Sequence, residues 1–410
     1  LEFARGNFYA ALQSLDRLEE EGARGAVLVL LYHGLSPSDW LPMTSVRRLR
    51  EHLLGLKRAG FRFVSADRLP AHFDALPPPP AAAPPPRPYR VVRSVTYAFT
   101  GEPPTNAPSL RDYTPDKVAC VTFDDALRTT FVHGTPVAEE LGLRFTVHVP
   151  VGNVARHDIG IASWEELRAY REGGHWVFGS HLWDASTPAP IAADGYPGNP
   201  LPNLVWNPVR NRPETLRAYA ARLRREFRDT RAAMARELGL DEADITCVAY
   251  PYGDIGQEDR CTVPELNVTE AILNEASMAH RLGFIQSRHG YAVNGDNPLL
   301  YQRHEPGVAA DGPAVVRHAF ENHPVFLARR MRAEIAALQG KLYLAQETLR
   351  ELDRDGYPDD LLKELTVYVR DHLAHKTEAP KIEDAVRGRT ARPWVELSGP
   401  YVGVEGRSTR

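Results

Sequence analysis

Short apolar segments alternate with amphipathic ones from residue 25 to residue 310, and this alternation limits the fold more than any other feature of the chain. The first apolar segment, AVLVLLYHG, has the length of a buried strand. A predicted helix follows from about Ser45 to Ala59, with Leu49, Leu53 and Leu56 on one face. Repeated strand–helix units predict a parallel sheet covered by helices and closed, or nearly closed, into a barrel. Its chemistry should lie at the carboxyl ends of the strands.

The chain of 410 residues is too long for one ordinary core, and its flanks differ in pattern from the middle. We expect a helical, repeat-like flank at 1–24, the α/β domain at 25–310, a helical hairpin at 313–376, and a linker at 377–410. The run PPPPAAAPPPRP predicts an exposed polyproline-like loop. The alternation in PWVELSGPYVGVEG suits either the first strand of a truncated β domain or a disordered tail.

The two helical flanks share a spacing. The matched positions are Gly6, Tyr9, Ala11, Leu15, Leu18 and Gly22 in the first flank, and Gly340, Tyr343, Ala345, Leu349, Leu352 and Gly356 in the second. This spacing resembles a tetratricopeptide-type helical hairpin, although an ordinary amphipathic helix is the alternative. We expect helices at 4–22 and 338–356 that bury their shared Tyr, Ala and Leu side chains, and that recruit the chain to a protein of an export machinery.

Composition excludes several classes of protein. The net charge of -4 gives no support to a nucleic-acid binder. No apolar run approaches the roughly 18 residues that a transmembrane helix needs. Three cysteines, Cys120, Cys247 and Cys261, cannot make a disulfide framework. The first residue is Leu1 and no signal peptide is visible, so we expect the chain to be part of a longer protein.

Polar signatures follow four of the predicted strands. They are YHG at 32–34, TFDD at 122–125, SHLWD at 180–184 and YPYG at 250–253. Adjacent carboxylates at a strand end are costly unless something cationic binds them, although an Asp pair that caps a helix is the alternative. Four such signatures at the ends of barrel strands are hard to explain by structure alone and indicate a site.

In this order the signatures resemble the NodB-homology family of polysaccharide deacetylases. The YHG strand comes first, which resembles the circularly permuted members that act on poly-β-1,6-N-acetylglucosamine. The resemblance covers about residues 26–306. It implies a distorted (β/α) barrel and metal-dependent N-deacetylation of a bacterial exopolysaccharide, with release of acetate and with zinc, cobalt or nickel as the metal. It also implies a bacterial protein that is periplasmic or associated with the outer membrane.

The resemblance assigns roles to individual residues. Asp124 is the general base, His33 the general acid and the amide of Tyr252 a donor to the oxyanion. Asp125 and His181 are metal ligands. These roles suit the reaction, because an amide needs a polarised carbonyl, an activated water, a stabilised oxyanion and a proton for its departing amine.

One departure from the family concerns the metal. The family's second His, four or five residues after the first, is replaced here by Ala185 and Ser186. Catalytic zinc usually takes three protein ligands, so Ser186, Asp184, Asp194 or water would have to complete the shell. The loss favours a second hypothesis, a non-catalytic carbohydrate-binding module. A third, a glycoside hydrolase, needs a partner carboxyl about 5–10 Å from Asp124, for which the sequence offers no candidate.

Four further residues are candidates for substrate contacts. Trp183 and Pro251 lie in two of the signatures, and Trp183 would stack on a sugar ring. Arg288 and Arg303 follow or end predicted strands and would bind hydroxyls or the acetyl group. Core packing explains Trp183, and surface charge the two arginines, at least equally well. We assign no role to His148.

Overall fold

The computed structural model describes residues 8–76, 114–257 and 267–375. Within these, an α/β unit comprises residues 24–76 and 116–323, and a helical unit comprises residues 8–23 and 324–375. The α/β unit thus extends beyond the expected boundary at 310. The predicted polyproline loop at 77–88 and the predicted tail strand at 392–405 lie outside the described residues.

The strands of the described residues, in chain order, are β1 (Ala26–Tyr32), β2 (Leu35–Ser36), β3 (Thr44–Ser45), β4 (Arg62–Phe63), β5 (Val118–Phe123), β6 (Phe145–Val149), β7 (Trp176–Ser180), β8 (Ala189–Pro190), β9 (Pro197–Gly198), β10 (Trp206–Asn207), β11 (Arg212–Pro213), β12 (Cys247–Ala249), β13 (Leu282–Gln286), β14 (Tyr291–Val293) and β15 (Tyr301–Arg303). The connection between β7 and β12 thus contains two short antiparallel hairpins, β8–β9 and β10–β11.

The helices, in chain order, are α1 (Phe8–Ala23), α2 (Val46–Arg58), α3 (Leu69–Asp74), α4 (Arg128–Leu141), α5 (Val151–Ala155), α6 (Trp164–Glu172), α7 (Leu216–Arg224), α8 (Thr230–Leu238), α9 (Val268–Ala279), α10 (Gly312–Asn322), α11 (Pro324–Leu338), α12 (Leu342–Arg354) and α13 (Asp359–His375). A π turn, Arg225–Asp229, joins α7 to α8. No helix in the described part of the chain is both long and apolar enough to cross a membrane.

The main sheet has the order β14-β1-β5-β6-β7-β12-β13-β15, and β4 pairs with the start of β5. All neighbours on this path are parallel except β14, which is antiparallel to β1. His304, just after β15, closes the sheet back onto β1, since its carbonyl accepts from the Leu31 amide (2.8 Å) and its amide donates to the Val29 carbonyl (2.9 Å). The predicted α/β barrel is confirmed, and its parallel strands end at one rim.

Local sequence explains where the barrel helices begin and which face they bury. Ser45 caps α2 by accepting from the Arg48 amide, and α2 buries the predicted face of Leu49, Leu53 and Leu56. Inside the barrel, apolar side chains from the strands form one cluster. Its strand members are Val27, Val29, Val118, Cys120, Cys247, Ala249, Leu282, Phe284, Ala292 and Tyr301. Because the interior is packed, a reactive site is expected at the rim formed by the carboxyl ends of the parallel strands.

In the helical unit, α11 packs on α1 and α12, and α12 packs on α13. A side chain at Gly22 would lie 2.7 Å from Pro324 Cβ, so the end of α1 approaches the start of α11 too closely for any residue but glycine. The interior also holds a charge cluster, in which Arg329, 1% exposed, donates to Glu19 and Asp355.

The helices predicted from the shared spacing are present, but one predicted buried side chain is wrong. Ala345, Leu349 and Leu352 are buried in α12, whereas Tyr343 is 79% exposed. Residues two apart on a helix point about 200° apart, so Tyr343 and Ala345 cannot share a face. The side chain of Tyr9 lies outside the described part of α1.

We expect Arg329→Met to lower the free energy of unfolding by about 1–3 kcal/mol, because Glu19 and Asp355 would each lose a buried hydrogen-bonded cation and keep only Arg332 and Arg354 as partners. Urea unfolding followed by far-UV circular dichroism measures the change. Arg17→Met on the exposed side of α1 is the control, with an expected effect within about 0.5 kcal/mol. Equal unfolding free energies for the two variants would contradict this account of the cluster.

Candidate active site

A tight turn follows β5 and separates its two carboxylates. The backbone is left-handed at Asp125 (φ 70°) and at Ala126 (φ 48°). The amide of Asp124 still continues the sheet by donating to the Tyr32 carbonyl (2.9 Å). As a result Asp124 is only 1% exposed, whereas the side chain of Asp125 is 38% exposed.

Asp124 forms a two-point ion pair with Arg303 inside the barrel. Arg303 Nη1 donates to Asp124 Oδ1 and Nη2 to Oδ2, each at 2.7 Å. His148 Nδ1 lies 2.9 Å from the same Oδ1. Burial by itself would raise the pKa of Asp124, but the charge of Arg303, with His181 and the hydrogen bonds from His148 and Arg303, holds that pKa well below its usual range. Asp124 is therefore a carboxylate at neutral pH.

His148, to which the sequence assigned no role, belongs to this cluster. It is fully buried, and burial lowers its pKa to about 4, against the opposing effect of Asp124. It is therefore neutral at pH 7, with the Nδ1–H directed at Asp124 and Nε2 3.7 Å from Cys247 Sγ. A histidine inside an apolar strand was the sequence signal that could have found it.

Arg303 does not line a substrate surface. Its side chain is fully buried, and its contacts are to Asp124 and, at 3.3 Å, to Thr122 Oγ1. The expected contact with sugar hydroxyls or the acetyl group is corrected here, because a buried guanidinium that is already bidentate cannot reach a polymer. Its effect on the site is to fix and ionise Asp124.

The second carboxylate faces His181. His181 follows β7, is 4% exposed, and has Nδ1 2.9 Å from the Ala249 carbonyl oxygen. A carbonyl only accepts, so Nδ1 carries the proton and Nε2 presents a lone pair. That Nε2 lies 3.5 Å from Asp125 Oδ1. Two ligand atoms on one tetrahedral zinc are about 3.3 Å apart, so this pair is spaced to share a metal ion.

A third protein ligand is not in place. Ser186 Oγ donates to Asn153 Oδ1 (3.2 Å), and Asp184 Oδ1 accepts from Arg156. Asp194 Oδ1 accepts the Tyr196 amide within the β8–β9 hairpin. Across residues 8–76, 114–257 and 267–375, no three side chains of His, Cys, Asp or Glu are grouped to hold an ion. The residues present fit a metal with two protein ligands, whose other positions are filled by water or substrate.

His33, after β1, is paired with a carboxylate that the sequence did not single out. Its Nδ1 lies 2.9 Å from Glu305 Oε1. Burial by itself would lower the pKa of His33, but Glu305, with further contributions from Asp124 and Asp125, raises it to about 9. His33 is therefore an imidazolium at neutral pH. Glu305 follows Arg303 by two residues, so one short segment serves both Asp124 and His33.

The YPYG signature forms a strained turn after β12. Tyr252 has a left-handed backbone (φ 61°), and its hydroxyl donates to the Ser186 carbonyl (2.8 Å). Pro251 is buried at the start of this turn, so it shapes backbone and offers no open surface for a sugar. Trp183 is half-buried, and the Arg225 guanidinium lies 5.1 Å from its ring centre.

The segment after β13 faces α10. Arg288 is exposed. His289 Nδ1 lies 2.9 Å from Asn322 Oδ1, and the His304 ring stacks on His318 at 3.5 Å. Both histidines therefore contact side chains of α10.

Comparison with known proteins relates part of the chain to polysaccharide deacetylases. Residues 111–271 match the family model described as polysaccharide deacetylase. This part of the chain carries a polysaccharide deacetylase domain. This confirms the predicted resemblance and, with it, the predicted class of enzyme, a carbohydrate de-N-acetylase. No curated protein matches the chain.

Solved structures of deacetylases resemble the chain. A de-N-acetylase from Aggregatibacter actinomycetemcomitans is 15% identical with a TM-score of 0.52, and the match covers 72% of this chain and 100% of that chain. IcaB from Ammonifex degensii is 22% identical with a TM-score of 0.44, over 72% and 97% of the two chains. The BpsB deacetylase domain from Bordetella bronchiseptica is 15% identical with a TM-score of 0.48, over 68% and 95%. The first of these shows the shared fold.

We expect Glu305→Gln to lower the pKa of His33 from about 9 toward its ordinary value of about 6.5, since the contribution of Glu305 is lost while those of Asp124 and Asp125 remain. The imidazole resonances of His33, followed by NMR from pH 5 to 10, measure this directly. Glu51→Gln, at a side chain of α2 that is 40% exposed, is the control and should leave the titration unchanged. A midpoint that stays near 9 in Glu305→Gln would contradict the pairing.

Proposed function

We propose that this domain catalyses metal-dependent N-deacetylation of a bacterial exopolysaccharide of the poly-β-1,6-N-acetylglucosamine class. The observation that carries the proposal is the spacing of Asp125 Oδ1 and His181 Nε2, 3.5 Å apart beside the ionised Asp124. Asp125 and His181 would hold a divalent ion, with zinc, cobalt and nickel as the candidates. Such an ion, when bound, polarises the acetamide carbonyl and acidifies a coordinated water.

The remaining steps are carried out by two side chains and one backbone amide of the chain. Asp124 accepts a proton from the water whose oxygen forms the new bond to the carbonyl carbon. The amide of Tyr252 donates a hydrogen bond to the oxyanion. As the carbon–nitrogen bond breaks, the imidazolium of His33 gives its proton to the departing nitrogen. Amide and water become acetate and amine.

Asp124 keeps capacity for this role despite its ion pair. A carboxylate offers about four acceptor positions, and Arg303 and His148 use three of them. The free position lies on Oδ2. The low pKa makes Asp124 a weaker base than an ordinary carboxylate, and this favours a mechanism in which the water is acidified first.

The polymer class is supported by the order of elements. The strand that carries His33 precedes the strand that carries Asp124 and Asp125, and the two pair in parallel along six residues. This order is the feature by which the sequence resembles the circularly permuted deacetylases of β-1,6-linked N-acetylglucosamine.

The direct test is release of acetate from β-1,6-linked N-acetylglucosamine oligomers. The chain is freed of metal with a chelator and then supplied with zinc, cobalt, nickel or manganese. We expect acetate with at least one ion and none with the chelator alone. Absence of acetate with all four ions would contradict the proposed activity.

We expect Asp124→Asn to reduce the rate of acetate release at least about 100-fold, because the amide keeps the size of the side chain but cannot take a proton. Asp116→Asn is the matched control, since Asp116 lies just before the opposite end of β5 and pairs with Arg62. The assay is steady-state acetate release at saturating metal. More than about a tenth of the rate in Asp124→Asn would be too much for the loss of a general base.

A second candidate function is a non-catalytic carbohydrate-binding module. It is favoured by the absence of a third ligand among the described residues and by the engagement of Ser186 with Asn153. The two functions differ in bound metal and in acetate release. Binding of the oligomers without metal and without turnover would support the module.

We expect Ser186→His to bind zinc at least about tenfold more tightly, because the imidazole would add a third protein ligand to those of Asp125 and His181. Isothermal titration with zinc measures the dissociation constant. Thr187→His is the control, since the next residue is exposed. If Ser186→His binds zinc no more tightly than the parent chain, another group already fills the position, or the loop holds residue 186 away from the ion.

A further inference from the structure

The loop that carries His181 is held by a carboxylate 41–43 residues further along the chain. Glu226 is 3% exposed, and its oxygens accept from three consecutive backbone amides, Trp183 (2.7 Å), Asp184 (3.1 Å) and Ala185 (3.3 Å). A buried carboxylate is costly unless it is fully hydrogen-bonded, and here its partners all belong to one loop. Packing alone would favour an apolar side chain at this position, next to the buried Phe227.

Glu226 stands on the π turn between α7 and α8. Such turns are rare and are frequent at functional sites, because the extra residue redirects side chains. The preceding residue, Arg225, contacts the same loop, with its guanidinium 5.1 Å from the Trp183 ring centre and Nη2 3.5 Å from Asp184 Oδ2. Two consecutive residues of the π turn thus engage the residues that follow the metal-ligand candidate.

The backbone of the loop needs this support. Leu182, next to His181, has a left-handed backbone (φ 65°), which is strained for a branched side chain. Strained backbone persists where the surroundings over-determine it. Here the Leu182 and Trp183 carbonyls accept from Val151 and Gly152, and the amides that follow bind Glu226.

We propose that Glu226 is a positioning residue for the metal site, and that it holds the loop of residues 181–186 so that His181 Nε2 faces Asp125. The role rests on the proposed function, since it presupposes that His181 binds an ion. Glu226 touches neither metal nor substrate. It acts on the backbone of the loop, as carboxylates behind metal-binding histidines act on their rings.

The test variant is Glu226→Gln. The three bonds all end on Oε2, and the Asp184 amide makes a second bond to Oε1 (3.3 Å). In the variant one oxygen becomes an NH2 group that cannot accept, so either the bonds to Oε2 or the bond to Oε1 is lost, together with the negative charge, at nearly unchanged volume. Glu214→Gln is the matched control, because Glu214 is also partly buried, accepts a backbone amide from Val205 (3.0 Å) and pairs with Arg222. It makes none of these bonds to the loop.

Two measurements are made on the full chain. The first is the dissociation constant for Co²⁺, from its visible absorption during titration, with the thermal midpoint recorded beside it. We expect Glu226→Gln to bind Co²⁺ about 10–100-fold more weakly than wild type, the usual effect of losing a supporting partner of a metal ligand. The second is amide hydrogen exchange of residues 181–186 without metal, which should accelerate in Glu226→Gln and not in Glu214→Gln.

The outcomes separate this role from the metal site itself. A wild-type chain that binds no Co²⁺ contradicts the metal site. A wild-type chain that binds, with a Glu226→Gln variant that binds equally well, contradicts only the role of Glu226. Unchanged hydrogen exchange in the loop also overturns it. Equal losses of affinity in Glu226→Gln and Glu214→Gln, matched to equal losses of thermal stability, would reduce Glu226 to a general contributor to the fold.

Discussion

The buried ion pair of Asp124 and Arg303 is the constraint around which the site is arranged. Two charges at 1% and 0% exposure lose nearly all hydration, and only bidentate geometry with further hydrogen bonds compensates for that loss. The pair therefore needs His148 neutral and directed at Asp124. It also needs the last strand in register with the first, so that the guanidinium reaches the end of β5.

The ion pair also gives the adjacent carboxylates of Asp124 and Asp125 different positions. Because Asp124 is tied inside the barrel, the left-handed turn after it places Asp125 toward solvent and toward His181. In the proposed mechanism, Asp124 accepts a proton and Asp125 binds the metal ion. If β5 continued as a regular strand, the side chains of Asp124 and Asp125 would point to opposite faces of the sheet, and the two carboxylates could not serve one site.

Much of this could be predicted from the sequence, and the limits have physical causes. The barrel, the buried face of α2 and the four rim signatures follow from local pattern, because strand and helix periods are properties of neighbouring residues. The buried partnership of Arg303 joins residues 179 apart, and no local pattern contains it. A charged residue at the end of a buried strand was a signal for a buried partner, not for a sugar.

The helical flanks and the loop after His181 show two other limits of prediction from the sequence. The shared spacing identified helices, but the 100° step of an α-helix, not the spacing, decides which side chains are buried, and Tyr343 falls on the outer side. The conformation after His181 depends on Glu226, in a π turn that helix periodicity does not reveal. For the same reason the sequence could not show whether Ser186 or Asp184 reaches the metal site, because the geometry of their loop depends on the distant Glu226.

The closure of the barrel by residues 303–305 has a consequence for the order in which the protein matures. His33 directly follows β1, the first strand of the barrel in chain order, yet Glu305, which raises its pKa, lies 272 residues further along the chain. Until that segment docks on β1, Asp124 has no guanidinium and His33 has no carboxylate. Before that step neither Asp124 nor His33 has the partner that shifts its pKa. The lowered pKa of the carboxyl and the raised pKa of the imidazole therefore arise together, in the same folding step that closes the sheet.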